Sequence, residues 1–530
     1  MQYNSWLYVL LFLGGAVLAY YLTPLRRRWV VLLAASTVFY LISSRQLIVV
    51  LAATAAVVYW GARRIDGRKR AYQEKKAALE KEERRQLKAD TDRRNSRTLA
   101  AVCVVAFGVL FFTKYFNFVG SNLNLLFRTM GLSAAVPALR LMMPLGISFY
   151  TLSAVSYLVD VSQGTCRAQE NYWKLLAFLM FFPVITEGPI SRYGQLGEQV
   201  AQGHSFDYRQ FCFGAQLIVW GLFQKVVLAD RLDRCVGNLF DHYQSYSGGI
   251  IALAILLYTF QIYMDFAGCV DIARGSAELF GIHLAQNFTQ PFFAVSVNDF
   301  WRRWHITLGA WLRDYIFYPI SLSRSFQTLS KNSRKHLNAY YAATLPALAA
   351  LLAVWFGNGV WHGAEWKYIV YGLYYYAITA LGMLLEPAFV RLLALLHLSR
   401  EQAGYRVFQM LRTFVFVNLG MMIFRAANLH AAWGMFLALF QNGGNGGETV
   451  AQILTKEGLP AGQAAIVAAG AVLVMIADVL KERGVPLRER IADRPLPVRW
   501  SIYLAAVVLV IVAGAYGPGF GTVDFIYAQF

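Results

Sequence analysis

The chain has 530 residues, 57% of them hydrophobic and 15% charged, where a soluble domain carries about 25% charged side chains. With 37 Phe, 30 Tyr and 13 Trp as well, this excludes a soluble enzyme, a disordered chain and a small disulfide scaffold. It is the composition of an all-α polytopic membrane protein. The net charge of +19 reads as Lys and Arg retained on the cytoplasmic side, not as a nucleic-acid surface. Cys103, Cys166, Cys212, Cys235 and Cys269 are odd in number, far apart and without a C-x-x-C pair. They indicate neither a disulfide framework nor a zinc site.

A span needs about 20 apolar residues. Trp6 to Leu22 supplies a first one, with no small-residue cleavage site after it and Arg26–Arg28 just beyond, so it reads as a retained span. Val30–Ile42 and Leu47–Trp60 follow, separated by Ser43-Ser44-Arg45. Residues 61–98 then hold 14 Lys/Arg against 7 Asp/Glu, with no Gly or Pro between Arg68 and Arg97. That block reads as one solvated helix and a cytoplasmic anchor. If both basic clusters are cytoplasmic, the N-terminus faces outward.

Further apolar runs fall at 99–118, 141–159, 173–186, 211–229 and 249–267, then at 340–361, 368–396, 408–424, 430–440, 463–480 and 500–516. Several are short or interrupted by Gly and Pro. Such helices are tolerated at membrane depth only where protein or a wet cavity surrounds them. Asn442–Gly447 reads as a flexible loop. The segment 481–499 carries six basic residues against three acids, and a cytoplasmic position for it leaves the C-terminus outside as well. The expected division is therefore N-terminal helices over 1–60, the charged block 61–98, a catalytic core over 99–440, C-terminal helices over 441–516 and an extracellular tail over 517–530.

Ionisable residues in apolar surroundings are the first candidates for chemistry. His362 ends an apolar run beside Trp361 and between Gly359 and Gly363. Imidazole is the side chain best suited to exchange a proton near neutral pH, although a histidine capping a span would look the same. His305 follows Asn298-Asp299-Phe300-Trp301-Arg302-Arg303-Trp304. At 100° per residue Trp301, Trp304, Leu308 and Trp311 share one face, with Arg302 and Arg313 on its flank, which predicts an amphipathic interfacial helix. Its bland role is a membrane anchor. As a donor site, Arg302, Arg303 and Arg313 with Trp301 and Trp304 would hold an anionic carrier. Glu187, Asp265 and Asp271 lie in broken segments, too scattered for a metal site, where they would pair with arginines or cap helices. No phosphate loop, dinucleotide fingerprint or nucleophile elbow is present.

An ordered set of pieces resembles the membrane-bound O-acyltransferases, in the bacterial branch of alginate O-acetylases and teichoic acid D-alanyl transferases. The pieces are Pro144–Thr151, Glu187-Gly188-Pro189-Ile190, Trp220–Arg231, Gln261–Asp271, Phe300–His305 and Trp361-His362-Gly363. By that resemblance His362 matches the catalytic histidine and His305 the second characteristic one. Asp265, Asp271, Glu187, Asn298 and Trp361 are then supporting or lining residues. The family fold is a ring of tilted, broken helices around a thinned centre with a tunnel. Ala267 and Cys269 depart from the family's small polar residues, and neither departure touches the histidines.

The resemblance implies an acyl, most simply acetyl, transfer from a cytoplasmic thioester to a cell-surface or secreted polysaccharide. The donor would be acetyl-CoA or a phosphopantetheinyl carrier, with no bound cofactor and no metal. An extracellular partner acyltransferase would receive the group. The last residues, Phe525-Ile526-Tyr527-Ala528-Gln529-Phe530, resemble the F-x-Y-x-x-F end of the small peptide of the D-alanyl systems, which makes Tyr527 a candidate acyl carrier. An aromatic interfacial tail is the plain alternative. D-Alanyl transfer to teichoic acid is the alternative chemistry, and a polysaccharide-export transporter or a scaffold the alternative class.

Overall fold

A computed structural model describes residues 2–44, 47–441 and 445–516. The expected break at Arg45, the Asn442–Gly444 part of the glycine-rich loop and the whole tail with Tyr527 lie outside the described residues. The chain divides into two compact units. One runs to Ala215 and includes Ala273–Ala285; the other comprises Gln216–Ile272 and the chain from Gln286 onward. Among the described residues the regular structure is helical, and the sole pairing of extended backbone is a single bridge between Phe288 and Trp304.

In the first unit, α1 (Leu7–Leu22) is apolar but short. It is followed by α2 (Arg28–Ser44), α3 (Ile48–Lys75), α4 (Lys81–Thr129), α5 (Ile147–Gln163) and α6 (Tyr172–Leu179). The charged block is not one helix. It is the meeting of α3 and α4, which pack along each other on either side of an exposed turn over 76–80. Neither Gly nor Pro breaks it; a capping box does, with the Glu80 backbone N–H donating to Glu83 Oε2 at 3.3 Å. Reciprocal capping satisfies two orphan donors and so fixes a helix start within a sequence of good helix formers. Arg68 then donates to the Arg94 carbonyl and to Thr98 Oγ1 across the pair.

Two of the motif pieces meet in this unit. Gly146, the residue before α5, has φ +66°, and a Cβ there would stand 1.8 Å from the Ile185 carbonyl oxygen. Only glycine meets both requirements. The Pro144–Thr151 piece is thereby seated on the turn-rich segment that leads to Glu187. That segment is itself held by Tyr3 Oη donating to the Phe182 carbonyl at 2.6 Å and by the Phe182 N–H donating to Ser36 Oγ at 3.1 Å.

Two long helices, α7 (Tyr208–Asp241) and α8 (Gly248–Glu278), contain the division between units. Two short ones follow, α9 (Val297–Arg303) and α10 (Ile306–Leu312), then a basic helix α11 (Arg324–His336). The second unit continues with α12 (Ala339–His362), α13 (Trp366–Leu395), α14 (Ala403–Arg425), α15 (Leu429–Ala438), α16 (Ala461–Glu482) and α17 (Leu496–Ala513). Nine helices among the described residues are long and apolar enough to cross a membrane, and the chain is a multi-pass membrane protein.

Lipid gives helices little hydrophobic reason to associate, so close backbone approach through small residues does much of the work. In the second unit α7 meets α8 through facing glycines: a Cβ on Gly221 would come 2.4 Å from the Gly268 carbonyl oxygen, and one on Gly268 2.7 Å from that of Gly221. Helices α12 and α13 meet in the same way. A Cβ on Gly359 would lie 2.5 Å from the Tyr368 carbonyl oxygen, and one on Gly372 2.3 Å from that of Trp355. Replacing Gly372 with Ala is expected to force these backbones apart at a cost of about 1–3 kcal/mol. Thermal unfolding in detergent should show a midpoint lower by several degrees, and an unchanged midpoint would mean that the contact has slack.

Candidate functional site

The predicted amphipathic helix through residues 298–315 does not run continuously. It stops at Arg303 and restarts at Ile306, with His305 between them at φ +47°. A non-glycine residue in this left-handed region is uncommon and persists only where surrounding structure holds it. Here the neighbouring chain supplies that hold. The Thr289 N–H donates to the Arg303 carbonyl at 2.9 Å, the Ile306 N–H donates to the Asn287 carbonyl at 3.1 Å, and Phe288 bridges Trp304. These bonds pull residues 303–306 out of the helical ladder. Hydrophobic periodicity reads only the side chains and could not register them.

The result is a deeply buried His305, 1% exposed. Its Nδ1 lies 3.3 Å from Asn287 Oδ1, and its ring stands edge-on to Phe266 with centroids 4.8 Å apart. Burial holds the imidazole well below the ordinary histidine range, so it rests neutral.

His362 closes the 24-residue helix α12, and Gly363 leaves in extended backbone. The glycine at 363 serves space, since a Cβ would stand 2.3 Å from the Tyr368 ring. His362 is 3% exposed within an aromatic cage of Trp361, Tyr371 and Phe424, at centroid separations of 5.0, 5.6 and 5.2 Å. Trp361 also meets the His305 ring, at 5.5 Å. One indole therefore contacts both imidazoles, and the two histidines, 57 positions apart in sequence, belong to one site.

Asn358 lies one turn before His362 on the same helix face. It is buried, and its Nδ2 meets no acceptor among the described residues; the same holds for Asn287 Nδ2. A buried amide donor without a partner costs about 1–3 kcal/mol, and each of these two is adjacent to a histidine.

Beside this pair sits a buried ion cluster. Lys225 Nζ is 2.7 Å from Asp230 Oδ1 and 2.5 Å from Asp265 Oδ1. Lys225 and Asp230 are five residues apart, and Phe223–Ala229 is a π-helical stretch. The wider i→i+5 turn brings a pair that an α-helix would splay onto one side. Asp265 comes from α8, one residue before the Phe266 that touches His305. The Trp220–Arg231 and Gln261–Asp271 pieces are thus joined twice, by facing glycines and by this lysine.

The other expected residues divide. Arg303 is committed to protein: it donates to Glu482 at 2.7 and 3.2 Å and to Asp299 at 3.2 Å, tying the end of α16 to α9. Arg313 donates to its neighbour Asp314, and both it and Arg302 are exposed. Trp301 packs edge-on to Trp355 and Tyr375, while Trp304 is buried against Phe288 and Phe300. Asn298 is exposed and Asp271 half-buried. Glu187 is buried in the first unit. Sequence reasoning passed over Asn287, Asn358, Lys225 and Asp230. Lys225 could have been suspected, as a lysine within the otherwise apolar run 211–229.

Breaking a buried ion pair by removing one partner costs about 3–5 kcal/mol, because a charge is left without compensation. Lys225→Met is therefore expected to unfold the purified protein at markedly lower temperature. The double variant Lys225→Met/Asp265→Asn should recover part of that loss. Additive losses in the two variants would show that the cluster is not coupled.

Residues 167–331 match the model of MBOAT, the membrane-bound O-acyltransferase family. The probable alginate O-acetylase AlgI of Pseudomonas aeruginosa is 34% identical over 66% of this chain and 62% of its own length. The peptidoglycan O-acetyltransferase of Helicobacter pylori is 31% identical, over 61% of each chain. The teichoic acid D-alanyltransferase of Bacillus subtilis is 30% identical over 44% of this chain and 56% of its own. The chain covers under two thirds of the length of these curated relatives. Over residues 167–331 the chain is thus similar to the membrane-bound O-acyltransferase family.

Proposed function

We propose that the protein is a membrane O-acyltransferase that moves an acetyl group from cytoplasmic acetyl-CoA for O-acetylation of a cell-surface or secreted polysaccharide. The observation that carries this reading is the shared contact of His305 and His362 with Trp361, in a chain similar to two proteins named as O-acetylating enzymes. In the proposed step His362 accepts the proton of an acceptor hydroxyl as its oxygen attacks the thioester carbonyl. The C–S bond breaks, an ester forms, and the proton passes from the imidazole to the departing thiolate. Two features favour the transfer. The aromatic cage keeps water from the ring, and the carbonyl end of α12 stabilises the positive charge that develops there. Asn358 Nδ2 is suited to donate to the oxygen on which negative charge grows.

In the finer form of the proposal the acceptor hydroxyl is that of Tyr527. Both termini then face outward, and an extracellular partner acyltransferase takes the group from the tyrosine to the polymer. Arg302 and Arg313, being exposed, are the arginines suited to an anionic donor. D-Alanyl transfer from a phosphopantetheinyl carrier is the second reading, favoured by the similarity to the Bacillus subtilis teichoic acid enzyme.

The test is mass spectrometry of the C-terminal peptide after incubation of purified protein with isotopically labelled acetyl-CoA. Label on Tyr527 in the wild type and none in Tyr527→Phe or His362→Ala supports the acyl-carrier form. Hydrolysis of acetyl-CoA without label supports acetyl transfer and overturns the tyrosine relay. Neither hydrolysis nor binding moves the reading to the aminoacyl carrier, or to a transporter or scaffold. His362→Ala is expected to lower turnover about 10²–10⁴-fold, as removal of a general base does, with the protein still folded.

A further inference from the structure

The hydrogen bonds around Asn287 determine which nitrogen of His305 bears the proton. The Thr307 N–H donates to Asn287 Oδ1 at 3.1 Å, and Thr307 Oγ1 lies 2.9 Å from the same atom. A backbone N–H only donates, so the atom it meets is the amide oxygen and not the nitrogen. The third group on that oxygen, His305 Nδ1, must donate as well. A neutral imidazole has one N–H, so the lone pair lies on Nε2.

Nothing in this small assembly is free to reverse. Asn287 is 1% exposed, its own carbonyl is bound to the Ile306 N–H, and the left-handed backbone at 305 fixes where the ring departs from the chain. A flip of the amide would turn Nδ2 toward the Thr307 N–H, donor against donor, at a side chain that is almost wholly buried. Such a conflict holds one tautomer over the other by a factor of about 5 to 150.

We propose that Asn287 is a positioning residue that locks His305 as the Nδ1–H tautomer, so that His305 serves the reaction as a hydrogen-bond acceptor through Nε2 and not as a donor to the developing oxyanion. This deepens the acyltransfer reading and rests on it. Under it His305 Nε2 aligns the attacking hydroxyl, while the donors for the thioester oxygen come from elsewhere, Asn358 among them.

The lock is testable without turnover. Protein labelled with 15N in the histidine rings, with His305→Gln to identify the signal, should show a protonated Nδ1 and an unprotonated Nε2 at residue 305. A protonated Nε2 in the wild type would overturn the proposal whether or not the protein transfers acyl groups. Asn287→Leu is expected to release Nδ1 and shift the proton toward Nε2. Turnover should fall on the order of 10²-fold, with little change in KM for the donor, as when an orienting partner of a reacting histidine is removed. An unchanged tautomer in Asn287→Leu would also sink it. Asn287→Asp keeps an acceptor and should retain the proton on Nδ1. Thr307→Val removes one donor to Oδ1 and none from the histidine, so it should leave the tautomer in place. If the tautomers behave as expected and no acyl transfer is found with any donor, the reading of the reaction fails and that of the lock stands.

Discussion

Among apolar helices a buried polar group is costly unless it finds a partner within the chain. Much of the second unit is an answer to that demand. Lys225 answers Asp230 and Asp265, Arg303 answers Glu482 and Asp299, and Asn287 takes three donors on a single oxygen. None of these groups can move far without leaving a charge or a dipole uncompensated. The polar links therefore fix the helices more narrowly than apolar contact could, since one greasy surface packs on another in many registers. The facing glycines supply the complementary condition by letting backbones come close enough for short side chains to reach.

The histidine site is the product of both. Helix α12 brings His362 into its aromatic cage only because Gly359 and Gly372 let α13 lie against it. His305 reaches the same tryptophan from a kink between two short helices, held by backbone bonds to residues 287–289. A continuous helix would have carried His305 onto the flank of an amphipathic surface. The departure from regular structure is what turns an interfacial residue into a buried one, and it occurs where two backbone ladders compete for the same groups.

Much of this could be read from the order of residues. Composition gave a polytopic helical protein, and the apolar runs match the long helices closely. His362 stood out at the end of a run flanked by glycines, and the structure places it among aromatic rings with Gly363 tight against Tyr368. What escaped the reading was set by groups that sequence patterns do not display. The capping box at Glu80 split a block that propensity alone makes one helix. The π-turn at 223–229 paired Lys225 with Asp230 at a spacing foreign to an α-helix. Arg303 looked like an anion-binding residue because its partner Glu482 lies 179 positions away. Asn287 carried no signal, since its importance lies wholly in what two other residues donate to it.

The turn between α3 and α4 has a practical side. Residues 73–78 are exposed, the capping box that begins α4 is complete from Glu80 onward, and the pairing of Arg68 with Arg94 and Thr98 closes the hairpin well before the tip. At the tip the Leu79 carbonyl accepts from Arg84 of α4 at 3.1 Å, a bond within the hairpin itself. A reporter, an affinity handle or a second folded domain can be carried between Lys76 and Leu79 at the modest entropy of a longer loop. That offers a way to hold and orient the protein through the turn between α3 and α4.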